Sequence, residues 1–338
     1  YMVQTILRAD AHSAFGINNR WGLFKGVSLG WRFSSESFMQ RFQVLGESML
    51  RASWGVAGRQ PSDTYARFAT YESSNDGNYI KNPAIIPRQI QLNNLQWENI
   101  ESYDVGIELN LFDYSLYVEA DVYLKTTSDL LFDNYNIPTS SGYGTLRYFN
   151  GGALQNKGWE LMLDYEVLQR DNFKWSVNFN TAQNVNSFVD LPDNFNTERS
   201  TSINNGEYPQ RVIEGEPIGS FFGFRYLGVY PTDEDALARD ANGNLILDEN
   251  GVPIPMTYEG TYIFRGGDAI YEDINKDGII DLNDVVYIGD SNPDLTGGFG
   301  TQFDYKDFDF SVAFHYRLGF DIINGVAIET EGMLDRNN

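Results

Sequence analysis

The stretch Glu101-Ser-Tyr-Asp-Val-Gly-Ile-Glu-Leu-Asn-Leu-Phe-Asp-Tyr-Ser-Leu-Tyr-Val-Glu-Ala-Asp-Val-Tyr-Leu-Lys125 decides the fold class. Val105, Ile107, Leu109 and Leu111 alternate with Asp104, Gly106, Glu108 and Asn110. After the turn Phe112-Asp113-Tyr114, the residues Leu116, Val118, Ala120, Val122 and Leu124 alternate with Tyr117, Glu119, Asp121 and Tyr123. Successive side chains of a strand point to opposite faces, so each arm has one apolar face and one polar, acidic face. About ten residues per arm is the length a tilted strand needs to cross a bilayer. A soluble sandwich also produces one such hairpin, so the recurrence of the pattern carries the argument.

The pattern recurs on both sides. Upstream, Met2 to Arg8 reads as a strand; Val27, Leu29, Trp31 and Phe33 alternate with small and polar residues, as do Leu50, Ala52, Trp54 and Val56. Downstream, Trp159, Leu161, Leu163, Tyr165 and Val167 turn at Gln169-Arg170-Asp171-Asn172 into Phe173, Trp175, Val177 and Phe179. A third hairpin joins Phe299, Thr301, Phe303 and Tyr305 to Phe308, Phe310, Val312, Phe314 and Tyr316 through Lys306-Asp307. Long polar connections, 58–99 and 126–157, separate these units. Short turns alternating with long loops predict an all-β, transmembrane antiparallel β-barrel with long extracellular loops. If the three short turns share one side of the membrane, residues 184–296 hold an even number of crossings or none. The expectation is an extracellular excursion over 184–296 within one transmembrane barrel domain, 1–338. About nine crossings are expected, an incomplete wall.

Composition agrees. The 338 residues carry a formal net charge of −23, which argues against nucleic acid as a partner because like charges repel. Pro231 to Asp294 holds 15 acidic and 3 basic residues, a net −12 and about half of the total. There is no cysteine, hence no disulfide framework or thiolate site. No apolar run approaches the ~18 residues of a membrane helix, which leaves barrel strands untouched. The sequence opens at Tyr1 without a signal peptide and reads as an interior piece of a longer protein. Trp21, Trp31, Trp159, Tyr123 and Tyr165 are expected to form interfacial girdles, the alternative being a soluble core.

One local motif has metal-binding spacing. Asp273, Asn275, Asp277, Asp281 and Asp284 stand at positions 1, 3, 5, 9 and 12 of an EF-hand-like loop, with Gly278 at 6 and the Ile279 carbonyl at 7. Hard oxygens at this spacing predict a structural Ca²⁺, contacted by Asp273, Asn275, Asp277, Ile279, Asp281 and Asp284. Position 12 is Asp where Glu is usual, and a solvated acidic turn is the alternative. Catalysis finds no motif: the two histidines, His12 and His315, have no nucleophile to pair with, and there is no P-loop, nucleophile elbow or zinc spacing. Glu108 and Glu119 imitate a glycosidase pair but read better as a hydrated channel wall. Tyr79, Trp97, Tyr135, Tyr143 and Tyr148 are loop aromatics that could stack on sugars.

Several ordered segments carry a family resemblance. These are Phe15-Gly-Ile-Asn-Asn-Arg-Trp-Gly22, Val27-Ser-Leu-Gly-Trp-Arg32, Leu50-Arg-Ala-Ser-Trp-Gly-Val-Ala-Gly58 and Tyr103-Asp-Val-Gly106. Asn156-Lys-Gly-Trp-Glu-Leu161, Glu214-Gly-Glu-Pro-Ile-Gly-Ser-Phe221, Asp273-Ile-Asn-Lys-Asp-Gly278 and Asn292-Pro-Asp294 complete the series. Over nearly its whole length the chain resembles the SusC-like TonB-dependent transporters of the Bacteroidota outer membrane. The resemblance implies a plugged barrel of roughly the 22-stranded class, importing glycans or oligosaccharides, or peptides. It also implies a SusD-like surface lipoprotein as lid and TonB as energy source, with outer-membrane lipid around the wall of a Gram-negative cell. By the family's pattern, the N-terminal extension, TonB box and plug precede Tyr1 and the last strands follow Asn338. The rival readings are a secreted, calcium-stabilised, carbohydrate-binding β-sandwich and a surface glycoside hydrolase.

Overall fold

The computed structural model describes residues 1–79, 82–192 and 213–327; for 74–79, 82–84 and 134–136 it describes the backbone alone. The chain divides into two compact units, Tyr1–Phe195 with Pro293–Gly319, and Asn196–Asn292 with Phe320–Asn338.

In the first unit, among the described residues, nine strands form one antiparallel sheet in chain order. They are β1 (Met2–Ala11), β2 (Trp21–Trp31), β3 (Met49–Arg59), β4 (Glu98–Leu111), β5 (Leu116–Ser128), β6 (Ala153–Arg170), β7 (Phe173–Asp190), β8 (Leu295–Tyr305) and β9 (Phe308–Leu318). Alternation along each strand becomes continuity across the sheet. Leu109, Val118, Leu163, Phe179, Phe299 and Phe314 form one cross-strand row. The next row is Glu108, Glu119, Met162, Asn180, Gly298 and His315. The apolar face is open: Val105 is 47% exposed, Val122 57% and Phe314 52%. A sandwich would have to cover such a face, whereas a membrane wall presents it to lipid.

The β6–β7 register departs from strict alternation at two places, between Ala153 and Leu154 and between Glu166 and Leu168. Between Glu166 and Leu168 the β6–β7 ladder is bulged, so Tyr165 faces Val177 but Leu168, not Val167, faces Trp175. The extra residue flips every later side chain, which moves Val167 off the apolar face it was assigned.

The long connections are partly folded. Residues 70–79 pair with 82–89, and Leu131–Asn136 with Thr145–Asn150. Ala14, Phe15, Ala66 and Leu95 form a small buried core beneath them, packed by Leu92, Trp97, Leu131 and Tyr148. A Cβ on Gly16 would lie 1.8 Å from the Asn93 carbonyl oxygen, so only glycine lets these loops close on Phe15.

The second unit is built from short pieces: Ser220–Gly223 with Val286–Asp290, Tyr226–Val229 with Ala269–Tyr271, and Thr257–Tyr258 between Tyr262–Ile263 and Ile279–Ile280. Its core is Tyr230, Ala236, Ala238, Met256, Phe264 and Ile280. Two equivalent exposed turns, eight residues apart, start at Asp240 and Asp248. Asp240 Oδ1 accepts from Asn242 N and Asn244 N, and Asp248 Oδ1 accepts from Asn250 N and Val252 N. These backbone bonds hold both exposed carboxyls below the usual carboxylate range. Ala238, Ile246 and Ile254 close a ring of three backbone hydrogen bonds, each N–H donating to the next carbonyl.

Candidate functional site: the polar face and the loop layer

On the polar face, Arg51 of β3 lies opposite Gly106 of β4, and Gly106 lies opposite Asp121 of β5. The guanidinium reaches over the glycine: Nη2 bonds Asp121 Oδ2 at 2.8 Å and also Glu119, while Nη1 bonds Glu108 Oε1 at 2.5 Å. Tyr117 donates to Glu119 Oε2 at 2.9 Å. Glu108 and Glu119 do face each other, yet Arg51 holds both, and the set braces three strands. A Cβ on Gly106 would sit 1.9 Å from Asp121 Oδ1 and 2.7 Å from Arg51 Nε. This explains the glycine of the Tyr103–Gly106 motif. Gly106→Ala is expected to cost about 1–3 kcal/mol through overpacking. It should lower the temperature at which the folded, fast-migrating species opens in detergent gels. Gly144→Ala, whose Cβ meets nothing within 4 Å, should leave that temperature unchanged.

The same device recurs. Tyr123 lies over Gly158 and donates to Asn184 Oδ1 at 3.0 Å. Tyr123 therefore belongs to the polar face and leaves the expected girdle. Trp21, Trp31, Trp159 and Tyr165 pair with Ala11, Leu50, Val122 and Leu116 on the apolar face. Sequence reading missed Trp54 and Tyr103, which both donate to Glu101 Oε1 at 2.8 Å, with Lys25 Nζ 5.8 Å from the Trp54 ring. A carboxylate on an apolar face was the available signal, since such a group marks the level where lipid gives way to water.

In the 273–284 loop, the side chains first satisfy the loop itself. Asp273 accepts from Lys276 N and Gly278 N, Asn275 from Asp277 N, and Asp277 from Ile279 N. Asp281 caps the short 3₁₀ turn Leu282–Asp284 by accepting from Asn283 N. Asp284 is fully buried, and its two oxygens accept from Ile274 N and Asp281 N, both at 2.8 Å. Burial pushes its carboxyl above the usual range, opposed by these two donors and helped by the charges of Asp273 and Asp281. Among the described residues, no three acidic or imidazole side chains converge at metal-ligating distance.

Of the loop aromatics, Trp97 is core: its ring is 4.4 Å from that of Phe15, and Nε1 donates to the Arg20 carbonyl. Tyr143 is half-buried beside the turn 139–141, and the side chains of Tyr79 and Tyr135 lie outside the described residues. Tyr148 lines a polar cavity with Arg88, Gln89, Asp133, Thr145 and Arg147. His12 Nδ1 accepts from Ala14 N, and His315 lies opposite Gly298 on the polar face.

An antiparallel meander with an apolar outer ladder, an ion-braced polar face and folded long loops defines part of an outer-membrane β-barrel wall. Residues 3–325 match the family described as TonB dependent receptor-like, beta-barrel, and the chain belongs to that family. It is 34% identical, over 95% of its length, to TonB-dependent receptor P39 of Formosa agariphila. It is 25% identical over its whole length to TonB-dependent receptor SusC of Bacteroides thetaiotaomicron. The chain spans 31% and 32% of those two relatives. Its fold also resembles the RagAB peptide importer in the closed-closed state, with a TM-score of 0.70 and 20% identity, covering 94% of this chain and 32% of that one. The protein is thus SusC-like and resides in the outer membrane of a Gram-negative bacterium.

Proposed function

We propose that the protein containing this wall imports glycans or oligosaccharides across the outer membrane, coupled to TonB and capped by a SusD-like lipoprotein. What supports this reading is the division of faces: an open apolar ladder for lipid, and behind it a charged row that needs water or another polar surface. Binding and gated passage suffice, with no bond chemistry. Deleting the gene should abolish uptake of a fluorescent oligosaccharide and growth on the parent glycan, and affinity purification should bring the lipoprotein along. Unchanged uptake would overturn the proposal. Uptake lost only for peptides would replace the glycan with a peptide.

Residues 184–296 are, on this reading, an extracellular excursion, and its 273–284 loop takes a structural Ca²⁺. The spacing of oxygen donors supports the ion; binding would draw Asp277 and Asp281 inward from their present bonds. Chelation is expected to speed proteolysis between Tyr271 and Ile288 while the barrel keeps its gel migration. Equal cleavage with and without chelator would dismiss the ion. Asp284→Ala should destabilise the loop whatever the ion does. It strands two N–H groups, at about 1–3 kcal/mol each, and limited proteolysis of 213–292 reads the loss.

A further inference from the structure

The lipid-facing side of the sheet is not smooth. Around Ala120 it dips into an open groove of about 440 Å³. Ala120 is the small side chain at its centre, with Ile107 and Leu161 as cross-strand neighbours and Val105, Val122 and Trp159 in the next row outward. The Trp159 wall is fixed, because its Nε1 donates to Gln183 Oε1 at 3.0 Å.

A cation stands at the outer end of this groove. Lys157 lies two residues beyond Trp159 on the same face, away from the short turns, with Leu124 and Val185 as cross-strand neighbours. All three are exposed. Lys157 shares its row with Trp54 and Tyr103, the level where lipid gives way to water. The next row outward on this face is Thr126, Gln155 and Ser187, all neutral. Among the described residues, neither Lys157 nor these three spends its side chain on a hydrogen bond or ion pair. Lys25, the other lysine near this level, is instead laid against the Trp54 ring. Unused donors above an apolar groove fit a ligand that is anionic at one end and apolar at the other.

Within a bilayer the groove alone selects nothing, since lipid tails are as apolar as the side chains they touch. Selection falls to the head. A phosphate ester has the charge for Lys157 and enough oxygens to accept from Thr126, Gln155 and Ser187 as well. Long loops mark this end of the strands as the outer one. We infer that the groove and Lys157 hold one phosphorylated lipid of the outer leaflet, an acyl chain over Ala120 and the phosphate at Lys157. The inference rests on the membrane wall and is independent of what the protein imports.

The test uses the full-length protein, stripped of native lipid in detergent and read by native mass spectrometry. The probes are monophosphoryl lipid A, the same lipid without its phosphate, phosphatidylglycerol and inorganic phosphate. The parent should retain one monophosphoryl lipid A, about fivefold more strongly than the dephosphorylated form, as one lysine near the membrane surface provides. Lys157→Ala should remove that preference, and Lys157→Arg, which keeps the charge, should preserve it. Ala120→Leu fills the groove and should weaken retention of both lipid A forms about fivefold through overpacking. Lys25→Ala should change neither. Unaltered heat-modifiable migration checks the folding of each variant. The inference is overturned if the phosphate makes no difference to the parent, or if Lys157→Ala or Ala120→Leu binds as the parent does. Equal losses from Lys25→Ala and Lys157→Ala would reduce the effect to diffuse surface charge. Displacement of the lipid by inorganic phosphate would leave an anion site without a chain, and a preference for phosphatidylglycerol would remove the outer-leaflet occupant.

Discussion

Leu161→Arg is expected to abolish assembly into the outer membrane, and Met162→Arg, one residue along, to leave it intact. Leu161 stands in the row Ile107, Ala120, Leu161 and Thr181, between the Trp54–Tyr103 level and the short turns. An arginine on the lipid face near the midplane costs roughly 2–4 kcal/mol, a large share of the stability of a folded protein. Met162 lies on the other face, 42% exposed and opposite Glu119. Four carboxylates, Asp104, Glu108, Glu119 and Asp121, lie on β4 and β5 near the single guanidinium of Arg51, so a second cation there meets attraction. Outer-membrane fractionation and heat-modifiable migration read both variants. Equal damage from the two, or damage from Met162→Arg alone, would mean that the faces have been assigned the wrong way round.

The second large effect is one of access. A protease site inserted at Asn242-Gly243 should be cut on intact cells, and one inserted at Asp171 only after the outer membrane is permeabilised. Gly243 sits at the tip of an exposed turn with φ +83°, which tolerates added residues. Asp171 lies in the tight turn from β6 to β7, the turn whose Asn172 carbonyl accepts from Lys306 N. Cleavage at Asp171 and protection at Asn242 would reverse the barrel in the membrane.

The wall was legible because a two-residue period needs no partner to be seen. Every hairpin proposed from alternation is present, and the direct β7–β8 pairing, Thr181 opposite Gly297, passes over the whole excursion. What failed to show was whatever depends on a neighbour. Val167 leaves its face because β6 has one residue too many for β7, which no single strand reveals. The hairpins at 70–89 and 131–150 mix apolar and polar residues without a two-residue period and give no alternation to read. Gly106 is explained only when Arg51 and Asp121 are brought in from flanking strands. In the 273–284 loop, spacing disclosed a turn rich in oxygen donors, but the burial that makes Asp284 a clasp comes from packing. The eight-residue echo of Asp240 and Asp248 was overlooked among isolated turn signals.

The β7–β8 pairing has an evolutionary consequence. The ladder between β7 and β8 ends at Ala182 opposite Thr296, and β7 runs on beside β6 to Asp190, so the chain leaves from and returns to neighbouring strands of one sheet. From the barrel's side, everything between is a single hairpin loop, and loop closure grows dearer only slowly with length. The inserted unit, in turn, has a core of its own made of Tyr230, Met256, Phe264 and Ile280. Among the described residues, neither part places residues in the other's strand register. Such a cassette can diverge, shrink or be swapped between paralogues without renegotiating the wall, letting one transmembrane scaffold be refitted for many environments.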